Sequence, residues 1–222
     1  MPSCIVFDVD GTLLDSVDFH ARAWEETFRH FGKEVPFADV RRQIGKGGDQ
    51  LLPVFWSPEE LDRLGDAMQD YRGNLFREQY LPRVQAFPQV RELFARVRAD
   101  GKRIALATSS KKDELKAYLK IADIADLIDA QTSADNVDRS KPHPDIFEAA
   151  LAALGDVKPQ DALAVGDTPY DAQAAGKLGL RTVGLLCGGF PEDDLRAAGC
   201  MALYRDPADL LARYEQSPLA GS

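Results

Sequence analysis

Apolar positions along the chain follow two periods. Four short runs stand out: CIVF at 4–7, RIALA at 103–107, ALAVG at 162–166 and TVGLL at 182–186, each bounded by charge, Gly or Pro. Compact apolar runs between turn-forming residues are what strands buried on both faces look like. Between the last three runs the period changes to that of helices. VRELFARVRADG (90–101) places Val90, Leu93, Phe94 and Val97 at helical spacing and stops at Gly101. DIFEAALAALG (145–155) does the same and stops at Gly155, and YDAQAAGKLG (170–179) is a third helix. A weaker strand, DLIDA at 126–130, follows the helix KDELKAYLKIA. Strand and helix in alternation predict an α/β fold, a Rossmann-like parallel sheet with helices on both faces in three α/β/α layers.

The stretch from about Val17 to Arg83 breaks the alternation. It holds two long helical segments, VDFHARAWEETFRHFG and SPEELDRLGDAMQDYRGNLFREQY, and no strand pattern. This predicts a helical domain of residues 16–83 inserted into a core made of 1–15 and 84–222, with connections near 14–16 and 81–87. The last eight residues, EQSPLAGS, are small and polar and are expected to fray.

Composition narrows the function classes. The chain has 222 residues, 45% hydrophobic and 28% charged, enough for a substantial core. A formal charge of -9 argues against a nucleic-acid binder and against attachment to an anionic membrane. The three cysteines, Cys4, Cys187 and Cys200, form no CxxC pair and no disulfide framework, which suits a reducing compartment. No basic leader and no membrane-length apolar run is present, so a soluble cytoplasmic protein is expected, monomeric or homodimeric.

The chemistry lies where the strands end. FDVDGTLLDS (7–16) follows the first apolar run and sets Asp8 and Asp10 two positions apart. On a strand two such side chains share a face, and like charges that close raise each other's pKa. The stretch therefore asks for a cation between them or for a turn that separates them. Open parallel sheets bind ligands at the carboxyl ends of their strands. After RIALA come Thr108, Ser109 and Ser110; a loop beyond DLIDA holds Lys141; after ALAV come Gly166, Asp167 and then Asp171. Taken singly, these could be a helix N-cap, a solvated lysine and turn acids. Together they set carboxylates, hydroxyls and a lysine on successive strands.

The four blocks DVDGT, LATSS, KPHPD and GDTPYD resemble, in order and strand context, the four motifs of the haloacid dehalogenase superfamily of phosphohydrolases. The helical insert resembles the C1 cap of the phosphoglycolate phosphatase and β-phosphoglucomutase-like group. The resemblance implies a Mg²⁺-dependent phosphatase acting on small phosphorylated metabolites. It implies that Asp8 is the nucleophile and Asp10 the general acid/base. Thr108 and Lys141 would bind the transferring phosphoryl group, with Ser109 and Gly11 beside it. Mg²⁺ would be held by Asp8, Asp167 and the backbone carbonyl of Asp10, with Asp171 in support. The physics agrees with these roles. An anionic nucleophile approaches an anionic ester only when a cation lies between them, and a tight turn at Gly11 lets backbone N–H groups face the phosphate.

In the insert, His20 and Trp24 lie one helical turn apart, in an HxRAW run shared with some sugar-phosphate mutases of the superfamily. IGKGGDQLL (44–52) offers Lys46 between glycines, so Lys46, Gly47 and Gly48, with His20, are the candidates for reading the leaving group. Four rival readings are open. Asp10 argues against a dehalogenase and against a phosphonatase. A β-phosphoglucomutase-like enzyme would be expected to carry an arginine in the cap loop where this chain has Asp49, although Arg22, Arg41 or Arg42 is an available substitute. A non-catalytic binding protein on the same fold would have lost a nucleophile or metal ligand, and none is missing.

Overall fold

The structure, a computed structural model, describes residues 1–155 and 157–220. In chain order, β1 (Cys4–Phe7) leads through β2 (Leu14–Asp15) into four helices: α1 (Val17–His30), α2 (Phe37–Arg41), α3 (Gly48–Phe55) and α4 (Pro58–Leu75). A π-helical turn (Phe76–Tyr80) and a 3₁₀ turn (Leu81–Arg83) bring the chain back to β3 (Gln85–Ala86). Helix and strand then alternate: α5 (Val90–Ala99), β4 (Arg103–Ala107), α6 (Lys112–Ala122), β5 (Ala130–Thr132), α7 (Asp145–Ala153), β6 (Ala162–Gly166), α8 (Pro169–Lys177), β7 (Arg181–Leu185), α9 (Glu192–Ala197), β8 (Cys200–Tyr204) and α10 (Pro207–Ala212).

Six strands form one sheet in the order β5-β4-β1-β6-β7-β8, every pair parallel. β1 is central, and the chain winds outward from it on both sides. Such a reversal of strand order opens a crevice at the carboxyl ends of the strands. The alternation of β1 explains the three layers. Ile5 and Phe7 join the cluster built with Leu93 and Phe94 of α5, Tyr118 of α6 and Leu210 of α10. Cys4 and Val6 join the opposite cluster with Ile146 and Phe147 of α7 and Ala174 of α8.

Three expectations need correction. The strand expected at 126–130 begins only at Ala130, where pairing with Ala105 starts; Leu127 and Ile128 pack against the core from a turn instead. Edge strand β8 was missed, because its outer side faces solvent and Met201 is 47% exposed, so it shows no compact apolar run. The chain end packs down rather than frays as far as it is described: Ser217 and Leu219 are fully buried, and the Ser217 hydroxyl donates to the Tyr214 carbonyl at 2.6 Å. Residues 221–222 lie outside the described residues.

The inserted helices have their own core, built from Trp24, Phe28, Val40, Leu51, Leu52, Trp56 and Met68. Helix α4 starts on a capping box: the Ser57 hydroxyl accepts from the Glu60 N–H and Glu60 accepts from the Ser57 N–H, with Pro58 at the first helical position. The chain leaves and re-enters the sheet domain side by side through an antiparallel ribbon that pairs Leu14 with Ala86 and Asp15 with Gln85. We propose that this ribbon is the neck between a core of residues 1–15 and 84–222 and a cap of 16–83. Among the described residues no helix is long and apolar enough to cross a membrane.

Candidate active site

At the end of β1 the Asp8 N–H still pairs with the Val165 carbonyl at 2.8 Å, and then the chain turns. The Gly11 N–H closes that turn on the Leu14 carbonyl at 2.8 Å, with Gly11 at φ +81°. The glycine is required, and its N–H is spent inside the turn rather than offered to a ligand. The turn also answers the question raised by two carboxylates two residues apart, because it sends them to different surroundings.

The Asp8 carboxylate is buried among charges. Oδ1 accepts from the Lys141 ammonium, which also donates to the Ala107 carbonyl at 2.8 Å and lies 2.7 Å from Asp171 Oδ1. The Thr12 hydroxyl lies 3.2 Å from Asp8 Oδ2 and donates to Asp167 Oδ1 at 2.8 Å. Oxygens of Asp8, Asp167 and Asp171 lie within 4.8 Å of one another, three buried carboxyls for one ammonium. Burial, offset by Lys141 and reinforced by Asp171, pushes the Asp8 carboxyl up to about 7. Burial, with Asp8 and Asp171 adding to it, raises Asp167 well above the usual carboxylate range.

Asp167 Oδ2 is buried and has no hydrogen-bond partner among the described residues. Backbone crowds it: a Cβ on Gly188 would sit 1.7 Å from it and a Cβ on Gly11 2.3 Å. An all-oxygen donor set with excess negative charge and an orphaned buried oxygen fits a hard divalent cation. Asp171 stands behind this set. Its Oδ2 accepts from the Thr168 N–H at 3.1 Å and hydroxyl at 2.7 Å, so it caps α8 while holding Lys141.

Asp10 faces the other way, among donors. Ser16 Oγ and Ser110 Oγ each donate to it at 2.6 Å, His20 Nε2 lies 2.7 Å away and Thr108 Oγ1 3.5 Å away. Burial alone would raise this carboxyl. The neighbouring His20 and the hydroxyls of Ser110 and Ser16 outweigh it and hold Asp10 well below the usual range. His20 is itself fixed from three sides. It stacks on Phe76 (centroids 4.1 Å, 6° between planes), its Nε2 lies 3.0 Å from Tyr118 Oη, and its Nδ1 meets the Arg72 guanidinium. Arginine has no acceptor, so Nδ1 presents its lone pair and Nε2 carries the proton toward Asp10.

A cavity of about 280 Å³ lies over Asp8 and Asp10, between cap and core. Thr108 is fully buried at its floor, and its Oγ1 accepts from the Ser110 N–H at 3.0 Å. The Ser109 hydroxyl is turned to the cap, donating to the Gly45 carbonyl at 3.3 Å. Lys46 lines the cavity, but its ammonium donates to Gln43 Oε1 at 2.6 Å and sits 4.7 Å over the Tyr170 ring. Gly47 and Gly48 line the cavity where α3 begins. Of the cap arginines, Arg22 packs on Phe37, and Arg41 binds Asp18 and the Gly188 carbonyl. The arginine that does line the cavity is Arg72, paired with Glu114 of α6 at 2.9 Å. Sequence reasoning named Ser110 only among the strand-end hydroxyls, without a role, and missed Ser16, Arg72 and Tyr118. Ser110 ends the LATSS block and Ser16 ends the FDVDGTLLDS stretch, so both were visible; Arg72 and Tyr118 sit on helices with no local signal.

The sequence matches the haloacid dehalogenase-like hydrolase family over residues 5–185. It is 33% identical over 207 residues to "Probable phosphatase IndB" of Dickeya dadantii, covering 89% of this chain and 87% of that protein. It is 32% identical to a phosphoglycolate phosphatase of Nitrosospira multiformis, covering 79% of each. The fold superimposes on a hydrolase from Pseudomonas syringae with a TM-score of 0.84 at 29% identity, covering 96% of this chain and 98% of the other. With the match spanning most of the sheet domain and the whole insert, the chain belongs to the haloacid dehalogenase-like hydrolase family.

Proposed function

We propose that this protein is a Mg²⁺-dependent phosphatase that hydrolyses small phosphomonoester metabolites through an aspartyl-phosphate on Asp8. One observation carries the reading: Asp8 sits with Lys141, Asp167 and Asp171 around an orphaned carboxylate oxygen, while Asp10 sits apart among donors. Asp8 Oδ attacks phosphorus as the ester P–O bond breaks. Asp10 gives a proton to the departing oxygen, then takes one from the water that cleaves the aspartyl-phosphate, releasing inorganic phosphate and restoring Asp8. The Ser16 and Ser110 hydroxyls can turn from donor to acceptor as that proton comes and goes. The Lys141 ammonium and the Thr108 hydroxyl offset the charge on the phosphoryl oxygens. Asp8, Asp167 and the Asp10 backbone carbonyl would hold Mg²⁺, with Asp171 in support. When bound, the ion neutralises the repulsion between carboxylate and ester and polarises a phosphoryl oxygen.

The small cavity, with charged and hydroxyl side chains beside Trp24 and Ile44, supports a compact leaving group such as the glycolate of a phosphoglycolate-like ester. A sugar-phosphate mutase must also grip a second phosphate, and Arg72, the arginine available in the cavity, is already neutralised by Glu114. A cytoplasmic location goes with this substrate class. The test is a time course with phosphoglycolate and with β-glucose 1-phosphate, following inorganic phosphate and glucose 6-phosphate separately. Phosphate release is expected to dominate, and Asp8→Asn is expected to abolish it while the circular dichroism spectrum is unchanged. Glucose 6-phosphate forming faster than phosphate, or an active Asp8→Asn variant, would reject the reading.

A further inference from the structure

The cap loop 45–49 touches three of the core loops that carry the site. The Gly45 carbonyl accepts from Ser109, a Cβ on Gly45 would lie 2.6 Å from Thr168 Cγ2, and Gly47 packs on Ser140. The Ser140 contact is the most developed. The Ser140 N–H donates to Asp49 Oδ2 at 3.0 Å, the Ser140 hydroxyl donates to Asp49 Oδ1, and that hydroxyl accepts from the Gly47 N–H at 3.0 Å. A side chain on Gly47 would displace this contact, since its Cβ would lie 2.3 Å from Ser140 Oγ and 2.7 Å from Asp49 Oδ1. Asp49 sits in the first turn of α3, where the helix dipole favours a negative charge, and Ser140 is 5% exposed.

The residue after Ser140 is Lys141, whose ammonium is held between Asp8 and Asp171. A cap carboxylate thus grips both the N–H and the hydroxyl of the residue preceding the site lysine. We propose that Asp49 is a positioning residue: it latches the cap onto the Lys141 loop and so sets the lysine against the phosphoryl group. This rests on the phosphatase reading above. Asp49 lines the edge of the cavity, but its carboxylate is taken up by the Ser140 N–H and hydroxyl, and it acts through Ser140. It also gives position 49 a use that an arginine there could not serve, because arginine offers no acceptor to Ser140.

The test combines kinetics with a measurement that needs no turnover. Asp49→Ala removes both acceptors and is expected to lower kcat for phosphoglycolate about tenfold with KM within about twofold, as loss of one charge-assisted contact implies. Ser140→Ala is expected to lose a similar factor, and the double variant no more than the larger single loss. Asp49→Asn keeps an acceptor for the Ser140 N–H and presents a donor to its hydroxyl, so it is expected to recover most of the loss. By NMR, the Ser140 amide is expected to exchange about tenfold faster in Asp49→Ala, while the melting temperature moves by less than about 2 °C. Unchanged Ser140 exchange overturns the latch, as do single losses that multiply in the double variant or a change confined to KM. A wild-type protein that releases no phosphate from any ester rejects the phosphatase reading instead, and the exchange measurement then decides the latch alone.

Discussion

Arg72→Met tests how the cap is held to the core. Arg72 lies on cap helix α4, and its Nη1 donates to Glu114 Oε1 of core helix α6 at 2.9 Å. The side chains are 14% and 2% exposed, so the pair is buried on the glutamate side and nearly so on the other. Removing one partner of a buried pair strands the other charge, at a cost of about 3–5 kcal/mol. The low end applies, because Arg72 keeps some solvent contact and Glu114 Oε2 has no partner among the described residues even in the intact pair. The guanidinium also lies 4.9 Å from the Phe76 centroid and 5.6 Å from that of Trp24, and loss of these contacts adds about 1 kcal/mol. A total of about 4 kcal/mol, against an unfolding entropy of about 0.5 kcal/mol/K for 222 residues, lowers the melting temperature by about 8 °C. Differential scanning calorimetry reads this directly. Arg72→Met/Glu114→Met is expected to recover most of the loss, since an apolar pair of similar volume replaces a buried ion pair at little cost. A single variant melting within about 2 °C of wild type, or a double variant no better than the single, would refute the reasoning.

Other outcomes follow from the same geometry. Gly188→Ala would place a methyl on Asp167 Oδ2, so phosphatase activity is expected to fall by at least about a hundredfold and the calorimetric affinity for Mg²⁺ to drop with it; wild-type affinity would contradict the crowding. Exhaustive chelation is expected to abolish turnover reversibly, and adding Mg²⁺ to metal-free protein is expected to raise its melting temperature as binding to the native state requires; full activity after chelation would exclude a metal role. Asp209, where burial is outweighed by the Arg205 N–H and by Arg213, has a depressed pKa. Its contribution to stability is therefore present above the ordinary carboxylate value of 3.8 and lost as pH falls below it, so Asp209→Asn is expected to flatten the acid side of the stability curve measured by urea unfolding.

What could be read from the sequence was set by where each signal comes from. β1, β4 and β6 were legible because both their faces are buried, which forces unbroken apolar runs. β8 was not, because an edge strand needs only one apolar face, and the apolar residues of 126–130 serve a turn that packs on the core. Lys141, Asp167 and Asp171 were legible because parallel strands must deliver their ends to one edge. His20, Thr108 and Ser110 were legible as candidates, but that they and Ser16 gather around Asp10 was not. Spacing places a residue on a loop or helix but does not say where its side chain turns: Lys46 lines the cavity as expected, yet its ammonium turns to Gln43 and Tyr170, while Arg72, from a charged helical stretch with no local signal, also lines it.

The two aspartates of DVDGT show how one turn assigns two roles. Asp8 enters a pocket short of cations, where burial lifts its carboxyl to about 7 despite Lys141. Asp10 enters a pocket rich in donors, which holds its carboxyl well below the usual range against its own burial. Surroundings that drive two carboxyls apart decide which one holds a proton, and without a divalent cation that one is Asp8 rather than Asp10. The deficit at Asp8 is of the kind a divalent cation corrects, and a cation there would fix Asp8 as the anion that attacks. The surplus at Asp10 consists of hydroxyls that can rotate and one imidazole whose proton already points at the carboxylate. These rotatable hydroxyls and the imidazole give a proton a path to and from Asp10 that Asp8 lacks, since its neighbours are an ammonium held by two carboxylates and a hydroxyl committed to Asp167. Gly11 makes the division possible: its positive φ closes the turn that points the carboxylates apart, and its missing side chain leaves room for Asp167.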